Sequence, residues 1–257
     1  MGGDDPMKIP FLDTLLKENT KRPEHESGPL FSTGEEDLIF REHFKGLRSK
    51  LEYKAEILGW KVIGVTSSIA GEGKTLICVK VAVSLALTKR KKVLLVDADI
   101  RKGDLSKGVG IPVEPGLTDY LVGNTDIRKV LRNSKVPGLD TISSGTSVPA
   151  PADLLAGDGF RIFIKEARER YDIVLLDTPP VLPVADTMSI REQVDGFLFV
   201  YRVGFTPITM FQQASEEIGE KKILGVVLNG VEPKSDRYYG RYYGHYYTSG
   251  KTTEALR

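Results

Sequence analysis

The spacing of apolar residues changes character near residue 61. Before that point Phe40, Phe44, Leu47 and Leu51 recur at i, i+4, i+7 and i+11, one apolar stripe on an amphipathic helix. Thr33 and Glu36 have capping-box spacing, so this helix is expected to start near Thr33. After residue 61 short apolar runs alternate with helical segments. The runs Val62–Thr66, Val93–Val96, Leu139–Ile142, Ile173–Leu176, Gly196–Tyr201 and Ile223–Leu228 read as buried strands. Helices are expected near 74–89, 151–170, 184–193 and 206–220. This alternation predicts an α/β fold built on a doubly wound, mostly parallel sheet with helices on both faces. Ligands in such folds sit at the carboxyl ends of the strands. Residues 1–31 lack any period and read as a linker, residues 32–230 as the folded body, and residues 231–257 as a glycine-rich tail expected to be flexible.

Composition narrows the function classes. The 257 residues carry 36 basic and 35 acidic side chains, a net charge of +1 that gives no general attraction to nucleic acid or anionic lipid. No nucleic-acid partner is therefore expected. The single cysteine, Cys78, excludes an internal disulfide and a cysteine-rich metal site, and it reads as a buried core thiol in a reducing cytosol. Every apolar run is far shorter than the roughly 18 residues that cross a bilayer. Acidic residues stand at the N-terminus where a secretory signal is basic, and Pro6 occupies the position where a myristoylation motif has Ser or Thr. A soluble, cytoplasmic chain is expected.

The strongest chemical signal is Thr66-Ser-Ser-Ile-Ala-Gly-Glu-Gly-Lys-Thr75, directly after the first strand and opening a helix. Gly71 and Gly73 let the backbone bend so that successive N–H groups face phosphate oxygens, and the helix N-terminus adds its positive end. Ser68, Ala70, Gly71, Glu72, Gly73, Lys74, Thr75 and Leu76 are the expected nucleotide contacts, with Lys74 on the β- and γ-phosphates and the Thr75 hydroxyl on magnesium. Ser68 departs from the usual Gly or Ala. Two more strands end in acids, at Asp97-Ala-Asp99-Ile-Arg101 and at Asp177-Thr-Pro-Pro. A carboxylate at the end of a buried strand is costly unless a cation meets it, and magnesium held by phosphates and Thr75 is the natural one. Asp177 fits a metal-organising acid. Of Asp97 and Asp99, one suits the metal and the other the activation of a nucleophile.

These residues resemble the bacterial tyrosine kinases (BY-kinases) of capsule and exopolysaccharide synthesis, relatives of the MinD and ParA ATPases. The resemblance covers about residues 35–247 and rests on Ser-Ser-Ile-Ala-Gly-Glu-Gly-Lys-Thr, Asp-Ala-Asp-Ile-Arg-Lys-Gly, Asp-Thr-Pro-Pro-Val-Leu, Pro149-Ala-Pro-Ala-Asp-Leu-Leu155 and the tyrosine-rich tail. It implies ATP- and Mg2+-dependent autophosphorylation between neighbours in a ring-like homo-oligomer. It further implies a membrane adaptor that recruits the chain to the inner face of the membrane, and an opposing tyrosine phosphatase. Carried over by position, Lys74 and Thr75 hold nucleotide and metal and Asp97 takes the tyrosine proton. Asp99 and Asp177 organise Mg2+, and Arg101 belongs to the same catalytic motif. Asn229, at the end of the last strand, stands where related ATPases contact adenine. The family's oligomerisation motif appears as Glu42, Lys45 and Arg48, with lysine in place of the first arginine, which removes a bidentate contact. Ile69 stands where MinD-like and ParA-like ATPases carry an extra lysine, which favours the kinase branch.

Six of the ten tyrosines lie in the tail, at Tyr238, Tyr239, Tyr242, Tyr243, Tyr246 and Tyr247. Beside a phosphoryl-transfer site they read as its substrate. Two other readings stay open on sequence alone: a nucleotide-switched assembly factor in which the tyrosines are incidental, and a tail that stacks on single-stranded RNA.

Overall fold

The computed structural model describes residues 38–231, with side chains from residue 41. The expected start of the first helix at Thr33, residues 1–31 and the six tail tyrosines lie outside the described residues. The body forms one seven-stranded sheet: β1 (Val62–Ser67), β2 (Val93–Asp97), β3 (Arg132–Asn133), β4 (Leu139–Ile142), β5 (Ile173–Asp177), β6 (Gly196–Arg202) and β7 (Ile223–Asn229). The spatial order is β3-β4-β2-β5-β1-β6-β7. Every pairing is parallel except β3 with β4. The six strands expected from sequence are all present. The two-residue β3 carries no period and was not anticipated.

Strands β1, β2 and β5 are buried along their whole length, which suits their β-branched and leucine runs. Their side chains alternate between two cores. Val62, Leu94, Val96, Val174 and Leu176 pack with Phe160, Phe163 and Ile164 of the helix Asp158–Arg170. Ile63, Val65, Leu95 and Leu175 pack on the opposite face, against α1 (Leu38–Leu58) and α2 (Lys74–Ala86). The stripe on α1 is realised in Phe44 and Leu51, both buried, with Leu47 packed beside them.

The helices differ from the sequence reading mainly at their ends, where backbone chemistry decides. The segment expected at 151–170 is two helices, α6 (Pro151–Ala156) and α7 (Asp158–Arg170), broken where Gly157 is extended. The segment expected at 74–89 stops at Ala86, ahead of Lys89 with its left-handed φ of 55°. The segment expected at 206–220 runs as α9 (Ile208–Ile218), preceded by Pro207 and ended by Gly219 at φ 84°. The segment expected at 184–193 is α8 (Asp186–Arg191), and three short helices, α3 (Asp104–Val109), α4 (Leu117–Leu121) and α5 (Ile127–Val130), were not anticipated.

Candidate active site

The register of the central strands places the acids. Asp97 on β2 pairs with Asp177 on β5, which puts these carboxylates side by side at the same level. Both lie two residues past a leucine, Leu95 or Leu175, that faces α2. Both are therefore directed at the N-terminus of α2. Loops are cross-tied there: the Val181 N–H donates to the Ser67 carbonyl at 2.8 Å, the Ala98 N–H to the Asp177 carbonyl at 2.8 Å, and the Thr66 hydroxyl to the Pro179 carbonyl at 2.8 Å.

Between β1 and α2 the loop turns through Gly71 at φ 88° and Gly73 at φ 91°, conformations that L side chains rarely adopt. A Cβ on Gly73 would lie 2.3 Å from Asn229 Nδ2. The first N–H groups of α2 have no partner inside the helix, so the turn presents a set of donors at its positive end. A cavity of about 480 Å³ opens there, lined by Ala70, Gly71, Gly73, Lys74, Thr75, Asp99, Arg101, Lys102, Asp104 and the Pro179–Val184 loop. A second cavity of 430 Å³, lined by Lys89–Lys92, Pro137, Gly138 and Asp172, contains none of the anticipated residues.

Lys74 is the electrostatic centre. Its Nζ donates to Asp99 Oδ2 at 2.8 Å and lies 3.9 Å from Asp177 Oδ1. Burial works against its charge, yet Asp177, Asp99 and Asp97 outweigh that and hold its pKa above the usual lysine value. Burial pushes the Asp97 carboxyl well above the ordinary range, with Asp177 and Asp99 adding repulsion. Burial also raises Asp177 to about 6, against the opposing pull of Lys74 and the Thr75 hydroxyl. The carboxylate oxygens of Asp97 and Asp177, and Ser68 Oγ, are buried with no donor in hydrogen-bonding geometry.

Orphaned carboxylates beside a serine/threonine hydroxyl and a phosphate cradle suit a hydrated divalent cation. Among the described residues no group of three or more His, Cys, Asp or Glu side chains holds a metal by itself.

Other anticipated residues take more particular positions. Arg101 grips Asp186 in a bidentate pair, Nε to Oδ2 at 2.7 Å and Nη2 to Oδ1 at 2.9 Å, while remaining on the cavity wall. Asp186 is fully buried. Asp99 lines the cavity, whereas Asp97 and Asp177 lie off its wall. The Asn229 amide donates to the Glu72 carbonyl at 2.8 Å, so it touches the phosphate loop directly. The Glu72 side chain is buried and turned away from the cavity. Leu76 is half-buried on α2. On α1, Lys45 pairs with Glu42 on its own helix, and Arg48 donates to the Ser84 carbonyl of α2 at 3.2 Å. Asp186, Arg202 and Thr206 escaped the sequence reading. Asp186 reads as a helix-start residue, and the other two carry no motif.

The sequence and the fold have known counterparts. The AAA domain family matches residues 60–193, more than half of the chain. Tyrosine-protein kinase YwqD of Bacillus subtilis is 33% identical over 201 residues, covering 77% of this chain and 84% of YwqD. The chain belongs to the bacterial tyrosine-kinase family. Tyrosine-protein kinase ptk of Acinetobacter johnsonii is 30% identical over 82% of this chain, and the chain spans 29% of the ptk length. The chain likewise spans only a minor part, 27%, of tyrosine-protein kinase etk of Escherichia coli. The solved kinase domain of E. coli ETK superposes with a TM-score of 0.72 at 29% identity, over 76% of this chain and 77% of that one. The fold extends beyond the kinase family. MinD of Pyrococcus horikoshii shares it with a TM-score of 0.52 at 22% identity, over 65% of this chain and 68% of that one. A P-loop fold of this kind implies nucleotide binding.

Proposed function

We propose that this chain transfers the γ-phosphoryl group of ATP to protein tyrosine, its own tail tyrosines first, as a regulator of exopolysaccharide or capsule synthesis. One observation carries the reading: Asp97, Asp99 and Asp177 converge on Lys74 and Thr75 at a glycine-bent helix N-terminus, with the buried oxygens of Asp97 and Asp177 accepting no hydrogen bond. Phosphoryl transfer asks the protein for positioning and charge stabilisation more than for covalent chemistry. The loop and Lys74 hold the β- and γ-phosphates. Thr75, Asp99 and Asp177 would hold magnesium, which supplies the positive charge that balances the phosphate oxygens. The bond from the γ-phosphorus to the bridging oxygen breaks, a bond to the tyrosine oxygen forms, and Asp97 takes the hydroxyl proton. A carboxyl with a raised pKa suits that task. Lys74 must exchange Asp99 for phosphate when ATP arrives, which frees Asp99 for the metal.

The chain separation between the site and the tyrosines supports the tail as substrate. Asn229 bonds the phosphate loop, and the tyrosine segment begins nine residues further on, at Tyr238. In this proposal residues 32–230 are the catalytic unit, residues 1–31 lead into it, and residues 231–257 are the substrate segment. Family likeness adds a ring of subunits joined through the Glu42, Lys45 and Arg48 face of α1, a membrane adaptor, and a phosphatase that resets the tail. It also supports a cytoplasmic chain brought to the inner face of the membrane by its partner. No helix among the described residues is long and apolar enough to cross a bilayer. The test is intact mass after incubation with Mg-ATP. Stepwise gain of single phosphates, lost when the six tail tyrosines are phenylalanine, supports the proposal. ATP consumption with unchanged protein mass would overturn it in favour of a nucleotide-driven assembly switch.

A further inference from the structure

The phosphate loop is held from its far side by a carboxylate that phosphate binding does not call for. Glu72 is fully buried within the loop. Its Oε2 accepts the Ile69 N–H at 2.9 Å, and its Oε1 accepts the Thr206 hydroxyl at 2.6 Å and the Arg202 N–H at 3.2 Å. One carboxylate therefore joins the start of the loop to the end of β6 and the turn that follows. Two further bonds run the same way: Arg202 Nη1 donates to the Gly71 carbonyl at 3.0 Å, and Asn229 to the Glu72 carbonyl. The Arg202 guanidinium also sits 4.8 Å from the Phe205 ring centroid, and a Cβ on Gly71 would meet that ring at 3.3 Å.

A negative charge next to a polyphosphate site repels the ligand, so a residue kept there must contribute something that outweighs the repulsion. Three donors meet the carboxylate, and charge-assisted hydrogen bonds are roughly twice as strong as neutral ones. They fix the curvature of residues 69–73 before nucleotide arrives. We propose that Glu72 is a positioning residue for ATP: it presets the phosphate loop by anchoring it to Thr206 and Arg202. This rests on the reading of the loop as the nucleotide site.

The test uses the full chain and four variants: Glu72→Gln, Glu72→Asp, Thr206→Val and Glu72→Gln combined with Thr206→Val. Mg-ADP affinity is measured by calorimetry, kcat and KM for ATP by phosphate incorporation, and Tm without nucleotide. Glutamine turns an NH2 toward groups that are themselves donors, and aspartate is too short to reach both sides. Each is expected to weaken Mg-ADP about 10–100-fold, the loss that goes with a buried donor left unpaired. KM should rise accordingly, with kcat at saturating ATP changed less than about threefold. Thr206→Val should share part of the loss and add little to Glu72→Gln, because both act through one network. A lower Tm with wild-type Mg-ADP affinity would mean that Glu72 serves only folding, which overturns the proposal. Strictly additive losses would overturn the anchoring through Thr206. Failure of the wild type to bind Mg-ADP would overturn the nucleotide-site reading itself, and this inference with it.

Discussion

Removing the charge of Asp177 is expected to stabilise the nucleotide-free protein while abolishing its response to Mg-ADP. Asp177 is fully buried, its oxygens have no donor in bonding geometry, and burial raises its pKa from 3.8 to about 6. The groups that face it are Lys74, Thr75, Asp97, Asp99, Asp104 and Cys78. A carboxyl whose folded pKa is raised favours the fold only while protonated. Its contribution is complete below about pH 4, fades as pH rises through 6, and above that the buried charge opposes folding. The cost at pH 8 is about 3 kcal/mol, the free energy that corresponds to such a shift. Asp177→Asn removes it at nearly constant volume. The variant should therefore melt roughly 6–12 °C higher than wild type at pH 8, taking 2–4 °C per kcal/mol for a chain of this size. The difference should shrink toward zero near pH 4. Thermal melts at pH 4 to 8, with and without Mg-ADP, read both effects. Mg-ADP should raise the Tm of wild type by mass action and leave the variant nearly unmoved. A variant less stable than wild type at pH 8, or a gap indifferent to pH, would refute the view of Asp177 as a charge held for a cation.

Further outcomes follow from the site and from the proposed function. Lys74→Met keeps a good helix former at the start of α2 but removes the cation from the phosphates, and autophosphorylation should fall at least about a hundredfold; normal phosphate incorporation would remove Lys74 from the site. Asp97→Asn should bind Mg-ADP normally with turnover lost, whereas Asp99→Asn should need more magnesium; superimposable magnesium titrations of the two would contradict that division. When a Lys74→Met chain that keeps its tyrosines is mixed with an active chain whose six tail tyrosines are phenylalanine, transfer between subunits puts phosphate on the Lys74→Met chain. Labelling of neither chain would mean that each site serves only its own tail. Replacing Glu42, Lys45 and Arg48 with alanine should reduce that labelling at low protein concentration, and light scattering reports the matching loss of assembly.

The candidate site was legible in the chain because much of it is local in sequence. Gly71, Gly73, Lys74 and Thr75 lie within five residues, so the glycines that let the loop bend and the helix start that suits a phosphate are visible in one short stretch. The acids at Asp97 and Asp177 were visible for a similar reason: each ends a run of residues apolar enough to be a buried strand. Which atoms meet was decided only by the fold. Parallel register alone sets Asp97 beside Asp177, and the bond from Lys74 to Asp99 is a property of the assembled cluster. The Arg101–Asp186 pair spans 85 positions, and the bonds from Glu72 to Thr206 and Arg202 span more than a hundred. Side-chain hydrogen bonds across such distances leave no period or spacing in the sequence. They depend on which strand ends the sheet brings together, and only tertiary packing determines that.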